Sequence, residues 1–149
     1  MAVLENSIQI SAPKDKVWGA IADLDVYAQW MTLHVDFPEG TPDEMKQGES
    51  FKEKVKIMGM PGDVTWTVAE YTEGELIELS GQGPMGTTLS ASFKVDGSDE
   101  ETSVSYSSEF GGAALAPLAA TLEKEAAKAG QESLEKLRAL VTGEPVPAG

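Results

Sequence analysis

The chain has 149 residues, 41% of them hydrophobic, and carries 11 Lys and Arg against 25 Asp and Glu for a net charge of −14. That length suits one domain, and the apolar content is that of a globular chain rather than a disordered one. The acidic balance opposes nucleic-acid and anionic-membrane partners, which are held through Lys and Arg. The lack of cysteine excludes a disulfide framework and a thiol nucleophile.

Val3 to Ile10 alternates, with Leu4, Asn6, Ile8 and Ile10 on one face and Glu5, Ser7 and Gln9 on the other, and predicts a half-buried strand. Neither a basic n-region nor an apolar h-region precedes it, so no signal peptide is read there and a cytoplasmic protein is expected. Ser11 is placed to cap a helix whose first turn holds Pro13, where the missing N–H costs nothing. Val17, Ala20, Ile21 and Leu24 fall on one face of that helix, with Trp18 at its flank. Asp23 and Asp25 bracket a break, and a second short helix is expected from Val26 to Leu33.

His34 to Gln47 reads as a loop, with two prolines, Gly40 and several acids. A strand follows in which Phe51, Glu53, Val55 and Ile57 alternate with Lys52, Lys54 and Lys56, the latter an ordinary solvated stripe. Met58 to Asp63 reads as a turn, Val64 to Tyr71 as a strand, Thr72 to Glu75 as a hairpin turn and Glu75 to Ser80 as a further strand. Gly81 to Gly86 is a connection, Thr87 to Val95 a strand, Asp96 to Glu101 a turn and Thr102 to Phe110 the last strand. From Ala113 to about Thr142 the period is helical, through Leu115, Leu118, Leu122, Ala126, Ala129, Leu137 and Leu140 or Val141. Gly143 to Gly149 is rich in Pro and Gly and reads as a disordered tail, leaving one domain over residues 1–142.

Strands joined by tight turns form a meander, and its apolar face needs a cover. The last helix is the one element long enough. The expected fold is therefore α+β: a curved antiparallel sheet, in the order β-α-α-β5-6-α, wrapped around a long C-terminal helix.

This order, with SAPxDKVWxxIADLxxYxxW in place, resembles the START/Bet v1-like (SRPBCC, polyketide cyclase/dehydrase-like) superfamily over residues 2 to about 142. Trp18, Asp23-Leu24, Tyr27 and Trp30-Met-Thr-Leu-His34 look most like a small actinobacterial branch, some of whose members are described as toxins of toxin–antitoxin pairs. The resemblance implies a helix-grip fold holding an apolar ligand between sheet and helix. It does not select among carriers, cyclases, hydrolases and chaperone regulators, which share the fold.

On this reading Tyr27, Trp30, Trp66, Phe93, Tyr106 and Phe110 project inward with Met31, Leu115, Leu118 and Leu122, either as plain core or as the lining of a ligand cavity. Glu53 breaks its strand's pattern between Phe51 and Val55. A buried carboxylate costs several kcal/mol unless paired or protonated. The simpler account, that the strand end twists and Glu53 reaches solvent, is favoured over a cavity acid or base. Ser108 and Asn6 are weaker inward polar positions. His34 is the one histidine. It is more often structural than functional in such a place, and His34-x-Asp36 is too short for a metal motif. Gly81-x-Gly83-x-x-Gly86 has a strand rather than a helix after it, which rejects a dinucleotide site, although Met85 in that connection is placed to act as a lip over the cavity. No cofactor or metal is expected.

Three functions remain open. The first is a carrier or sensor of a small hydrophobic molecule such as a lipid or polyketide. The second is a cyclase or dehydratase-like enzyme whose catalytic candidates are Glu53, His34, Tyr106 and Ser108. The third is a toxin-like protein-interaction module using the acidic surface.

Overall fold

The computed structural model describes residues 2–32, 34–41, 46–57, 60–83, 86–112, 117 and 119–143. Met85, Leu115, Leu118, the Met58-Gly59 step of the expected turn, the first residues of the expected long helix and the tail from Glu144 lie outside them. Seven strands form one antiparallel sheet: β1 (Ala2–Ile10), β2 (His34–Asp36), β3 (Ser50–Ile57), β4 (Met60–Thr72), β5 (Leu76–Gln82), β6 (Thr88–Gly97) and β7 (Thr102–Gly111). The spatial order is β1-β7-β6-β5-β4-β3-β2, so β1 and β2 are the two edges. Helix α1 (Lys14–Ala22), a 3-10 helix (Leu24–Gln29) and α2 (Ala119–Thr142) complete the fold. The sheet curls as a half-barrel, and α2 packs along β1 and against the two shorter helices.

The alternation read from sequence sets the inner face. Ile8, Ile10, Val64, Trp66, Val68, Phe93, Val95 and Val104 are buried there. They meet Val17, Ile21 and Trp30 from the short helices and Leu134 and Leu137 from α2. Leu134, fully buried, was missing from the expected helical stripe, whereas Leu140 is 37% exposed and Val141 carries the stripe instead. No helix among the described residues is long and apolar enough to cross a membrane.

Several local expectations need correction. Ser11 does not cap α1; Pro13 takes that position, without a side-chain cap bond. The helix start is tied down by tertiary contacts instead. Lys14 N–H donates to the Ser98 carbonyl at 3.0 Å, and Thr102 Oγ1 donates to the Ala12 carbonyl at 2.8 Å. The second helix is 3-10 and begins earlier, where the Asp23 side chain accepts from Asp25 N–H. Three residues of the expected loop, His34–Asp36, form β2, because the edge of β3 offers unpaired backbone groups. Met60 to Asp63 belong to β4, and Ile57 pairs with Met60. The Thr72–Glu75 turn holds, with Gly74 at φ 79°.

Gly130 lies inside an unbroken α2. It serves close approach: a Cβ there would stand 2.5 Å from Asn6 Oδ1. Asn6 uses that proximity to donate from Nδ2 to the Ala127 carbonyl (3.3 Å) and Gln131 Oε1 (3.4 Å), fastening α2 to the edge strand. Ser133 does the same at the other contact, donating to the Ala129 carbonyl and accepting from Thr32 N–H at 2.9 Å. Because Leu134 is fully buried where α2 meets the core, Leu134→Ala should lower stability by about 2–5 kcal/mol in urea unfolding monitored by circular dichroism.

Candidate functional site

The site is built on β3 by strand register. Phe51, Glu53 and Val55 leave β3 on the inner face. His34 on β2 stands opposite Val55, and Trp66 on β4 stands opposite Phe51. Cross-strand partners share a face, so His34 and Trp66 are the diagonal neighbours of Glu53 on either side. Both reach it. His34 Nδ1 lies 2.6 Å from Glu53 Oε2, and Trp66 Nε1–H donates to Oε1 at 2.9 Å. Glu53 is 3% exposed, and the His34 side chain is likewise buried. The favoured account in which Glu53 reaches solvent is therefore overturned. Both carboxylate oxygens have partners, which is what burial of a carboxylate demands.

The Trp66 position depends on a residue whose role was not legible in the glycine motif. Gly81 pairs with Trp66 across β4 and β5. A Cβ at Gly81 would lie 2.7 Å from the indole ring and 2.9 Å from Val64. The bare backbone thus serves as the floor on which Trp66 lies, with its N–H aimed at Glu53.

Aromatic packing surrounds the pair. Tyr27 meets Trp30 (5.1 Å) and His34 (5.3 Å) edge to face, and His34 packs on Phe37 at 4.4 Å. Trp30 meets Phe93, which stacks on Tyr106 at 4.7 Å and 4°. This continuous aromatic path runs from edge strand β2 across the interior to Tyr106 on β7. Tyr27 and Phe37 pack on the His34 ring, and Glu53 holds its Nδ1.

Beside Glu53 lies a cavity of about 70 Å³. Of the predicted residues, Tyr27, Met31, Trp66, Tyr106 and Phe110 line it, with the catalytic candidates Glu53 and Ser108. Val55, Leu89, Ser90 and Ala91 line it too and were not nominated. The alternation of β6 already placed Leu89 and Ala91 on the inner face; aromatic size drew the selection to Phe93. A smaller space of about 10 Å³ continues past Tyr27, Glu53 and Trp66 to Phe93 and Ile77. Trp30 and Leu122 are buried but line neither space, and His34, absent from both linings, touches Glu53, which lines both. The larger space exceeds the roughly 10–15 Å³ one water needs and falls short of the roughly 300–1,000 Å³ of pockets for drug-sized ligands. It accommodates waters or the end of a small molecule; a bulkier ligand requires the walls to part.

The hydroxyls in this space stay protonated. Burial pushes Tyr27 well above the ordinary tyrosine value, and the charge of Glu53 and the neighbouring Tyr106 add to the rise. Tyr106 is pushed up to about 12, first by burial and then by Glu53, while a hydrogen bond with Ser108 acts in the opposite direction. Uncharged donors therefore face a carboxylate across an apolar space. Among the described residues, no group of three or more His, Cys, Asp or Glu side chains could hold a metal ion.

Comparison with known proteins agrees with this architecture. The family model described as polyketide cyclase / dehydrase and lipid transport matches residues 1–142. A Mycobacterium tuberculosis H37Rv protein named toxin Rv0910 is 30% identical over 115 residues, spanning 77% of this chain and 80% of its own. Another from that strain, named uncharacterized protein Rv1546, is 26% identical over 115 residues, with the same 77% and 80% shares. Among solved structures, Zhui aromatase/cyclase from Streptomyces sp. R1128 aligns with a TM-score of 0.77 at 16% identity, covering 95% of this chain and 93% of its own. A START superfamily protein from Mycobacterium smegmatis aligns at 0.71 and 16% identity, covering 95% and 97%. At such identities the likeness is one of fold.

The tyrosine environment has a measurable consequence at high pH. The Tyr106 hydroxyl ionises near 10 when unfolded and at about 12 when folded, so the folded chain holds that proton more tightly. This contribution to stability is whole below pH 10 and is lost as pH rises through about 12. Wild-type stability should fall more steeply over that window than that of Tyr106→Phe, read from urea midpoints. Spectrophotometric titration should lose its latest-ionising component in Tyr27→Phe/Tyr106→Phe.

Proposed function

The chain belongs to the polyketide cyclase / dehydrase and lipid transport family, and from that premise we propose that it binds a small, mainly apolar molecule in the cavity on the inner face of the sheet, as a carrier or sensor. The observation that carries this reading is the apolar cavity with one polar end, where Glu53 stands among Tyr27, Tyr106 and Ser108. A pocket of that kind draws affinity from its walls and orientation from its few polar groups. Each ~100 Å² of apolar ligand surface buried contributes roughly 2.5 kcal/mol before association costs. The limited space favours a flat or narrow ligand end at Glu53.

N-phenyl-1-naphthylamine, a neutral apolar dye, should bind at one site and quench Trp66 fluorescence. Ala91→Leu fills the cavity wall and should weaken the dye at least about tenfold while circular dichroism stays unchanged. Saturable quenching that Ala91→Leu leaves intact would count against the cavity as the site.

The His34–Glu53 contact of 2.6 Å supports a second reading, acid–base chemistry of cyclase or dehydratase type on the bound molecule. Glu53 borders the cavity, and His34 behind it supplies or takes a proton and holds the carboxylate in place. With an aromatic polyketide substrate, Glu53→Gln should cut turnover by about 10²–10⁴-fold while substrate is still bound. Turnover that survives the substitution removes this reading and leaves binding alone. The toxin-like reading rests on the name of a relative 30% identical to this chain, and no arrangement on the acidic surface favours it over the cavity.

A further inference from the structure

We propose that the ligand meets Glu53 with a neutral hydrogen-bond donor, a phenol, enol or alcohol, and that carboxylate-ended molecules such as fatty acids are rejected. This rests on the ligand-binding reading above and names the chemical class that site selects.

Glu53 forms part of the wall of both internal spaces. An ionised carboxylate offers about four acceptor positions. His34 occupies one on Oε2 and Trp66 one on Oε1, so about two remain, on a residue only 3% exposed. An acceptor facing an apolar space is costly unless a donor reaches it, and among the described residues the hydrogen bonds to Glu53 come from His34 and Trp66 and not from the lining hydroxyls, which makes a ligand donor the complement of this wall. Among the described residues, no lysine or arginine lines either space. The face of β3 that carries Lys52, Lys54 and Lys56 is the opposite one, and Lys52 is engaged by Glu39 at 2.9 Å. His34 lies behind the carboxylate rather than in the lining. A ligand carboxylate would therefore meet Glu53 at short range with no cation between them. A bare carbonyl would set acceptor against acceptor.

A hydroxyl resolves both sides of the contact. Its hydrogen goes to Glu53, and its oxygen accepts from Tyr27 or Tyr106. Both lining tyrosines remain protonated donors through neutral pH, held so by burial and by the charge of Glu53 itself. The flat stack of Phe93 on Tyr106 gives an aromatic ring a surface to lie against, so a phenol suits the site better than an aliphatic alcohol.

The test is displacement of N-phenyl-1-naphthylamine from the full chain at pH 7 by three probes on one skeleton: 2-naphthol, 2-methoxynaphthalene and 2-naphthoate. The first is a donor, the second has the same oxygen without the hydrogen, and the third is an anion. 2-Naphthol should compete about tenfold or more better than the methyl ether, as expected for a hydrogen bond to a charged acceptor. 2-Naphthoate should compete on the order of a hundredfold worse than 2-naphthol. Glu53→Gln should narrow both gaps. Should that variant not fold, the wild-type series decides alone. Equal competition by 2-naphthol and its methyl ether, or by 2-naphthol and 2-naphthoate, would overturn the proposal while ligand binding stands. No binding of the dye or of any probe would overturn the ligand-binding reading itself, and this inference with it.

Discussion

Burying a carboxylate on the inner face of a sheet costs several kcal/mol unless its oxygens find partners, and much of the wall around β3 is arranged to meet that demand at Glu53. Trp66 supplies one hydrogen bond and His34 the other contact. Trp66 is free to lie flat because Gly81 has no side chain to obstruct it. His34 is in reach because three residues of an otherwise irregular connection pair with the edge of β3. Tyr27 and Phe37 then pack on the His34 ring. Removing one partner would leave a buried polar group unmet, so strands β2 to β5 and the 3-10 helix are coupled through one side chain.

The opposite edge of the sheet is closed by different means. There α2 needs to lie close to β1, and Gly130 with Asn6 makes that approach possible. The segment leading into α1 is pinned to the β6–β7 hairpin by Ala12 and Lys14. The aromatic path through Tyr27, Trp30 and Phe93 runs from the β2 edge across the interior to Tyr106 on β7, the neighbour of edge strand β1. What remains unfilled is the space beside Glu53, where aromatic rings and small β6 residues meet without interlocking. An apolar cavity with a buried carboxylate in its wall is the combination that lets a fold bind a molecule in a defined orientation. Neutral tyrosine hydroxyls facing a fixed carboxylate give that orientation a sign.

Much of the architecture was legible in the chain. Period-two alternation placed Ile8, Val64, Trp66, Phe93 and Val104 on the inner face, and the order of elements with SAPxDKVWxxIADLxxYxxW pointed to a helix-grip fold; these follow from local pattern. The helix start was misread because its stabilisation comes from Ser98 and Thr102, more than eighty residues away in sequence. The β2 strand was missed because three residues carry no periodicity. Of the site, Tyr27, Met31, Trp66, Tyr106, Ser108 and Phe110 were nominated and line the cavity with Glu53. Trp30, an expected lining residue on the aromatic set, and Leu122, one on the helical period of the last helix, are buried but line neither space.

The sequence by itself determined the inward faces of the main strands and that Glu53 sits out of pattern, because these depend on side-chain alternation along one strand, and its short turns determined the β3 to β7 meander. Only the tertiary structure decided that Glu53 is buried and partnered, since that depends on the register of β3 with β2 and β4, which brings His34 and Trp66 to its two diagonals. The same register gave Gly81 its purpose beneath Trp66. Pairing between strands is a property of neighbours distant in sequence, and it turns an anomaly in one strand into a site.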